Sequence, residues 1–184
     1  MYKYVKFDEI SGLCTEVGTG TNTEFYKSVG MIRKDVEKSE VDGQWYLTSK
    51  CPHYTDEEKL EKAKTEKLAE LTAITAKYDN QLVNTDMVIK SSLGFSINAD
   101  LRSQNNLRGL IAVGVEPVNF VTADNSVQSL TLEQLNVLLK ESIENGKKLY
   151  ETKWKYRDMI LNSSSTEELN AIEFKFTMSD FSVS

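Results

Sequence analysis

TLEQLNVLLKESIENGKKLYETKWKYRDMIL, residues 131–161, is the longest periodic stretch in the chain, and every other segment has to be read against it. Thr131-Leu132-Glu133-Gln134 opens it as a capping box, in which the Thr131 hydroxyl accepts from the amide of Gln134 while the Gln134 side chain reaches back. Leu132, Leu135, Leu139, Ile143, Tyr150, Trp154, Arg157 and Leu161 then fall near one face at helical spacing. A continuous helix to Leu161 would be about 45 Å long at 1.5 Å per residue. Gly146 is the position at which it can kink or split.

Working outward, Met87 to Ile89 and Phe95 to Ile97 read as two strands around Ser91-Ser92-Leu93-Gly94. Asn98 or Asp100 supplies the N-cap of a helix whose buried side is Leu101, Leu107, Leu110 and Ile111. Arg102, Gln104, Asn105 and Arg108 read as its solvated face. Gly114 and Pro117 end that unit, and VNFVTADNSVQSLTL supplies a hairpin. On the other side of the long helix, Ser165-Thr166-Glu167-Glu168 is another capping box for a short closing helix. EFKFTM then alternates like an edge strand.

A third capping box, Thr55-Asp56-Glu57-Glu58, starts a helix at Asp56 with acidic residues placed to complement its dipole. Its first turns are charged, whereas Leu68, Leu71, Thr75, Tyr78 and Leu82 recur at the three-and-four spacing of a seam. Two readings follow: a spacer or stalk joined to copies of itself as a coiled coil, or an amphipathic helix lying on its own domain. Before it, MYKYVKF and Leu13 to Val17 make a β-hairpin, and EFYKSVGM and GQWYLTSK read as further short strands. The expected organisation is α+β, with a β-rich module over 1–54, a helical spacer over 55–84 and an α+β module of hairpins and helices over 85–184.

The 184 residues carry 22 basic and 28 acidic side chains, a formal charge of −6 that repels a phosphate backbone, so nucleic acid is not an expected partner. No run of about 18 apolar residues is present, and the alternating N-terminus lacks the apolar core of a signal peptide, which predicts a soluble chain made in a cytoplasm without membrane insertion. The two cysteines, Cys14 and Cys51, are expected to be reduced thiols packed as small hydrophobes.

GTGTNT at 18–23 lacks the third glycine, the Lys-Ser or Lys-Thr and the long helix of a phosphate-binding loop, and reads as a flexible turn. Cys51-Pro52-His53 offers two ligands where zinc takes about four, and it reads as a loop. One histidine in the chain leaves no Ser or Cys with an evident activating base, so no catalytic, cofactor or metal residues are assigned. Trp154, Tyr156 and Arg157 could stack on a ligand, but helical spacing favours packing.

The ordered run GFSINADLRSQNNLRGLI, VNFVTADNSVQSL, TLEQL, KWKYRDMI and STEELNAI, within roughly residues 60–181, resembles an uncharacterised domain that recurs in tail-region proteins of tailed bacteriophages and prophages. FYKSVGM, DGQWYL and KWKYRD are also similar to tail-fibre assembly chaperones, from which the hairpins in between depart. The resemblance implies a non-enzymatic tail-tip or tail-fibre component made in a bacterial host cytoplasm and retained in the virion tail, with other tail or baseplate proteins as partners. The alternative is an assembly chaperone absent from the finished particle. An enzyme acting on surface polysaccharide ranks below both, since paired carboxylates are not evident. With fibres as the guide, the stripe Leu68, Leu71, Thr75, Tyr78 and Leu82 becomes the expected interface of a homotrimer.

Overall fold

The period-two alternation at the N-terminus forms strand β1 (Tyr2–Phe7) in the computed structural model, which describes residues 2–83 and 87–182. β1 pairs antiparallel with β2 (Cys14–Gly20) on one edge and with β3 (Ile32–Arg33) on the other. Its central residues Tyr4 and Val5 are buried, as is Met31. A second ribbon pairs β4 (Val36–Lys38) with β5 (Trp45–Leu47) across a turn in which the Asp42 carboxylate accepts from the Gln44 amide at 2.9 Å.

Two expectations for this region change. EFYKSVGM is not a strand: Thr23–Ser28 forms helix α1, started by the Asn22 side chain, which accepts from the Phe25 amide at 3.1 Å. GTGT is not a loose turn either, because β2 runs through Gly20. Its glycines are a bed for Tyr26. That ring stacks on Tyr4 with centroids 4.3 Å apart, and a Cβ at Gly18 or Gly20 would lie 2.6 or 2.9 Å from it. The local capping residue and the ring it delivers outweigh the apolar alternation that suggested a strand.

Helix α2 (Asp56–Val83) begins with the expected capping box: the Glu58 amide donates to Thr55 Oγ1 at 3.2 Å, and the Thr55 amide donates to Glu58 Oε2 at 2.8 Å. The chain divides into two compact units, Met1–Glu61 and Lys62–Ser184, so the boundary falls inside α2 rather than at its ends. The expected junction between 84 and 85 lies outside the described residues. The reason for the shift is the apolar stripe. Leu71 and Thr75 are buried, Leu68 is half-buried, and Tyr78 and Leu82 pack against the core of the C-terminal unit. The stripe therefore lies on the chain's own C-terminal unit, as in the second of the two readings of this helix.

In the C-terminal unit, β6 (Val88–Lys90) pairs with β7 (Ser96–Asn98), helix α3 (Leu101–Val113) follows, and β8 (Val118–Val121) pairs with β9 (Val127–Leu130). Asp100 is the α3 N-cap, accepting from the Ser103 amide at 2.9 Å, and Gly114 ends the helix in the left-handed region at φ 71°. Helix α4 (Leu132–Asn162) is continuous through Gly146 and packs on α3. Helix α5 (Thr166–Asn170) is capped by Ser165. The core gathers Met87, Ile89, Ile97, Leu107, Leu130, Leu135, Leu138 and Leu149. All named strands pair antiparallel and are segregated from the long helices, so the fold is α+β.

The polar face of α3 is solvated at Arg102, Asn105 and Arg108, but Gln104 turns inward and its amide donates to the Ala99 carbonyl at 3.0 Å. The inner face of α4 also differs from the apolar stripe. After Leu135 and Leu138 it continues through Glu141, Ser142 and Asn145 to Leu149, while Ile143, Tyr150, Trp154 and Leu161 are left exposed. Buried polar residues on this face are used. Ser142 Oγ donates to the Leu138 carbonyl at 2.8 Å, and Glu141 Oε1 accepts from the amide and the hydroxyl of Ser92 at 3.1 and 2.5 Å.

Asn145 answers for the segment after α5. Residues 173–179 alternate as expected, with Phe174, Phe176 and Met178 inward, yet they pair with no strand. Helix side chains satisfy the backbone instead: Asn145 Oδ1 accepts from the Ser179 amide at 2.8 Å, Tyr156 Oη from the Lys175 amide at 2.9 Å, and Tyr78 Oη donates to the Phe176 carbonyl at 3.1 Å. This strap returns to the β6–β7 ribbon where the Phe181 amide donates to the Lys90 carbonyl at 2.9 Å.

Three outcomes are expected. Asn145→Ala strands a buried amide and should lower urea-measured stability by about 1–3 kcal/mol, and Asn145→Asp, which puts an unpaired carboxylate in a wholly buried site, should lose at least as much. Gln104→Ala should cost about 1–2 kcal/mol while Arg102→Ala changes stability by under about 0.5 kcal/mol; equal losses would mean that the two positions are equally buried. Turn and cap bonds also hold several carboxyls below their ordinary values: Glu58 through the Thr55 amide, Asp8 through the Ser11 amide, Asp124 through the Thr122 hydroxyl and Glu168 through the Ser164 amide. A pKa lower in the folded than in the unfolded chain gives stability that is present above the unfolded value and lost as pH falls through the folded one. The melting temperature should therefore fall on acidification through and below the ordinary carboxylate range, and Glu168→Gln should flatten that slope.

Candidate functional site

The displaced apolar face of α4 borders a cleft in the C-terminal unit. Turning Ser142 and Asn145 inward leaves Ile143, Gly146 and Tyr150 along one wall of a cleft of about 350 Å³. Thr75, Tyr78, Asp79 and Leu82 of α2 form a second wall, Leu101, Gln104 and Arg108 of α3 a third, and Met87, Leu149 and Phe176 also line it. Gly146 adds no side chain to this wall, and a Cβ there would meet nothing within 4 Å. A glycine in mid-helix costs about 1 kcal/mol relative to Ala.

Charge is confined to the cleft's edge. Lys147 and Lys153 line it beside Arg108; Lys153 faces Asp79 at 3.9 Å and Lys147 faces Glu151 at 3.6 Å. Asp79 is the cleft's one carboxylate among the described residues, whereas polysaccharide hydrolysis uses a pair of acids. Apolar walls with a few charges at the rim suit an apolar side chain or small apolar group flanked by polar contacts.

The same face continues along α4. Leu68, Leu71, Thr72, Lys153, Trp154 and Arg157 line a second groove, with Arg157 over the Trp154 ring at 5.0 Å and Tyr150 edge-on to it at 5.9 Å. Tyr150 is 61% exposed and Trp154 41%, so both present part of a large ring to solvent. Of the residues that sequence alone offered for stacking, Trp154 and Arg157 are therefore surface groups, and Tyr156 is a tether for the strap. The stripe residues divide: Thr75, Tyr78 and Leu82 line the cleft, Leu68 and Leu71 the groove. The rim cations Arg108, Lys147 and Lys153 escape sequence reasoning because they lie on two helices and among acidic neighbours.

In the N-terminal unit, the group among the described residues that can hold a metal is Glu37, Cys51 and His53, whose ligand atoms all lie within 4.8 Å of one another. Cys14 and Cys51 are both free and half-buried, and burial raises each thiol above its ordinary pKa, with the Glu37 carboxylate adding to the effect at Cys51. No helix of the described residues is long and apolar enough to cross a membrane.

Compared with known sequences and structures, the chain matches one family model, over residues 62–175, which is more than half its length and starts where the C-terminal unit starts. A search of curated proteins and a search of solved structures find no match. The matched segment contains the groove, the cleft lining apart from Phe176, and the first three residues of the strap, and the chain belongs to the family described as Domain of unknown function (DUF4376).

Proposed function

We propose that the protein is a non-enzymatic component of a phage or prophage tail, at the tail tip or in a tail fibre, and that it works through protein–protein contacts. The observation that carries the reading is the exposed aromatic and basic face of α4. Tyr150, Trp154 and Arg157 are side chains of the kinds that dominate protein interfaces, and they adjoin an apolar cleft able to take a partner's anchor residue. The ordered features from GFSINADLRSQNNLRGLI to STEELNAI, which resemble domains of tail-region proteins, supply the biological setting. Partners on this reading are other tail or baseplate proteins. The protein is made in the host cytoplasm and carried into the virion.

The second reading, an assembly chaperone released before the particle is finished, draws on FYKSVGM, DGQWYL and KWKYRD. It uses the same face transiently. A polysaccharide-acting enzyme has less support, since among the described residues the cleft offers one carboxylate, already facing Lys153.

Mass spectrometry of purified particles separates these readings. Peptides of this chain in stoichiometric abundance are expected for a tail component, and Trp154→Ala should reduce their amount while leaving the chain soluble and folded in the lysate. Detection in lysate alone would shift the assignment to the chaperone. An encoding neighbourhood of metabolic genes, without baseplate, fibre or lysis genes, would overturn both.

A further inference from the structure

Glu37, Cys51 and His53 are brought together by three independent anchors in the N-terminal unit. Glu37 is the middle residue of β4 and is held in register opposite Tyr46 of β5. A 3-10 turn, Thr48–Lys50, then reverses the chain and delivers Cys51. Pro52 follows, and its carbonyl accepts from Ser39 Oγ at 2.9 Å, which lays His53 back alongside the end of β4. A sequence reading that counts cysteine and histidine finds two ligands here; the third is a carboxylate from a strand fourteen residues upstream of the cysteine.

The geometry points to a zinc(II) site. We propose that Glu37 oxygen, Cys51 sulfur and one ring nitrogen of His53 bind zinc as three protein ligands, leaving the fourth position to water. Ligand atoms around tetrahedral zinc stand about 3.3–3.7 Å apart, given metal–ligand bonds of about 2.0–2.3 Å. His53 Nε2 already lies 3.1 Å from Glu37 Oε1, and all three ligand atoms are within 4.8 Å, so side-chain rotation of a few tenths of an ångström to about an ångström closes the set.

A zinc-bound histidine generally directs its other nitrogen at a carboxylate, which fixes the tautomer and makes the ligating nitrogen more basic. A carboxylate, that of Glu40, stands near the second nitrogen of His53, just beyond hydrogen-bond distance. His53 Nδ1 faces Glu40 Oε1 at 3.9 Å, and the same carboxylate oxygen accepts from the Tyr54 amide at 3.2 Å and faces Lys59 Nζ at 3.6 Å. Glu40 is a positioning residue held in place from two sides.

Mixed sulfur, nitrogen and oxygen donors suit zinc better than calcium or magnesium, which take oxygen ligands. On binding, the Cys51 S–H bond breaks, sulfur ligates zinc as thiolate, and the proton passes to solvent. The carboxylates that disfavour a bare thiolate at this position become neutralising partners once the dication is present.

Cobalt(II) titration of the full chain, prepared under reducing conditions and stripped of metal, tests the site. A thiolate-to-cobalt charge-transfer band in the near ultraviolet should appear, together with visible bands of tetrahedral intensity, and zinc should displace it at one equivalent. Cys51→Ser should abolish the charge-transfer band and His53→Ala should weaken zinc binding at least tenfold. Glu40→Gln should weaken it by about 10-fold to 100-fold while keeping the band. Cys14→Ser, with its thiol outside the cluster, should change nothing. Far-ultraviolet circular dichroism of each variant establishes that it is folded. A folded wild-type chain that gives no band, or a band that survives Cys51→Ser and disappears in Cys14→Ser, overturns the site.

Discussion

The C-terminal unit rests on one constraint, the need to satisfy the backbone of an extended segment that has no strand beside it. A buried amide without a partner costs as much as several ordinary contacts return, so the residues after α5 can dock only where side chains offer acceptors and donors at strand spacing. Asn145, Tyr156 and Tyr78 provide them from two different helices. Asn145 is wholly buried, and its amide group also approaches Met87 Sδ at 3.2 Å, tying the strap to the residue that precedes β6. The positions of α2, α4 and the β6–β7 ribbon within this unit all meet at that requirement.

The same constraint shapes the surface. A helix has one inner face, and when Glu141, Ser142 and Asn145 occupy it to serve a turn, the helix backbone and the strap, the apolar residues beside them are turned outward. Ile143, Tyr150 and Trp154 are exposed for this reason; Ile143 and Tyr150 bound the cleft beside Gly146, and Trp154 the groove. Polar burial within the unit and apolar exposure outside it are two sides of one rotation of α4.

Legibility in the sequence followed the range of the interaction. The capping boxes at Thr55 and Thr131 and the caps at Asp100 and Ser165 involve residues three apart, and all of them form. The hairpin over residues 118–130 and the length of α4 were equally readable from local pattern. What was not readable depended on distant partners: Tyr26 needed two glycines on a neighbouring strand, Gln104 needed the Ala99 carbonyl, and the strap needed side chains from α2 and α4. Periodicity alone put Ile143, Tyr150 and Trp154 inside, because it weighs apolarity and has no term for a buried asparagine that completes another segment's hydrogen bonds. The Glu37, Cys51 and His53 cluster escaped for a related reason, since its carboxylate arrives through strand pairing rather than through spacing along the chain.

The strap also sets where this unit opens first. A strand in a sheet leaves only by breaking a ladder, whereas the residues from Glu173 to Ser179 are held by a handful of side-chain bonds and by Phe174, Phe176 and Met178 set against helices. Such a segment is a separate foldon, able to detach while the α3–α4 packing stays intact. Its amides therefore exchange with solvent through a local opening of lower free energy than global unfolding. A protease acting on native protein would make its first cut in the C-terminal unit there, and the released end would carry away Phe176, one of the residues lining the cleft.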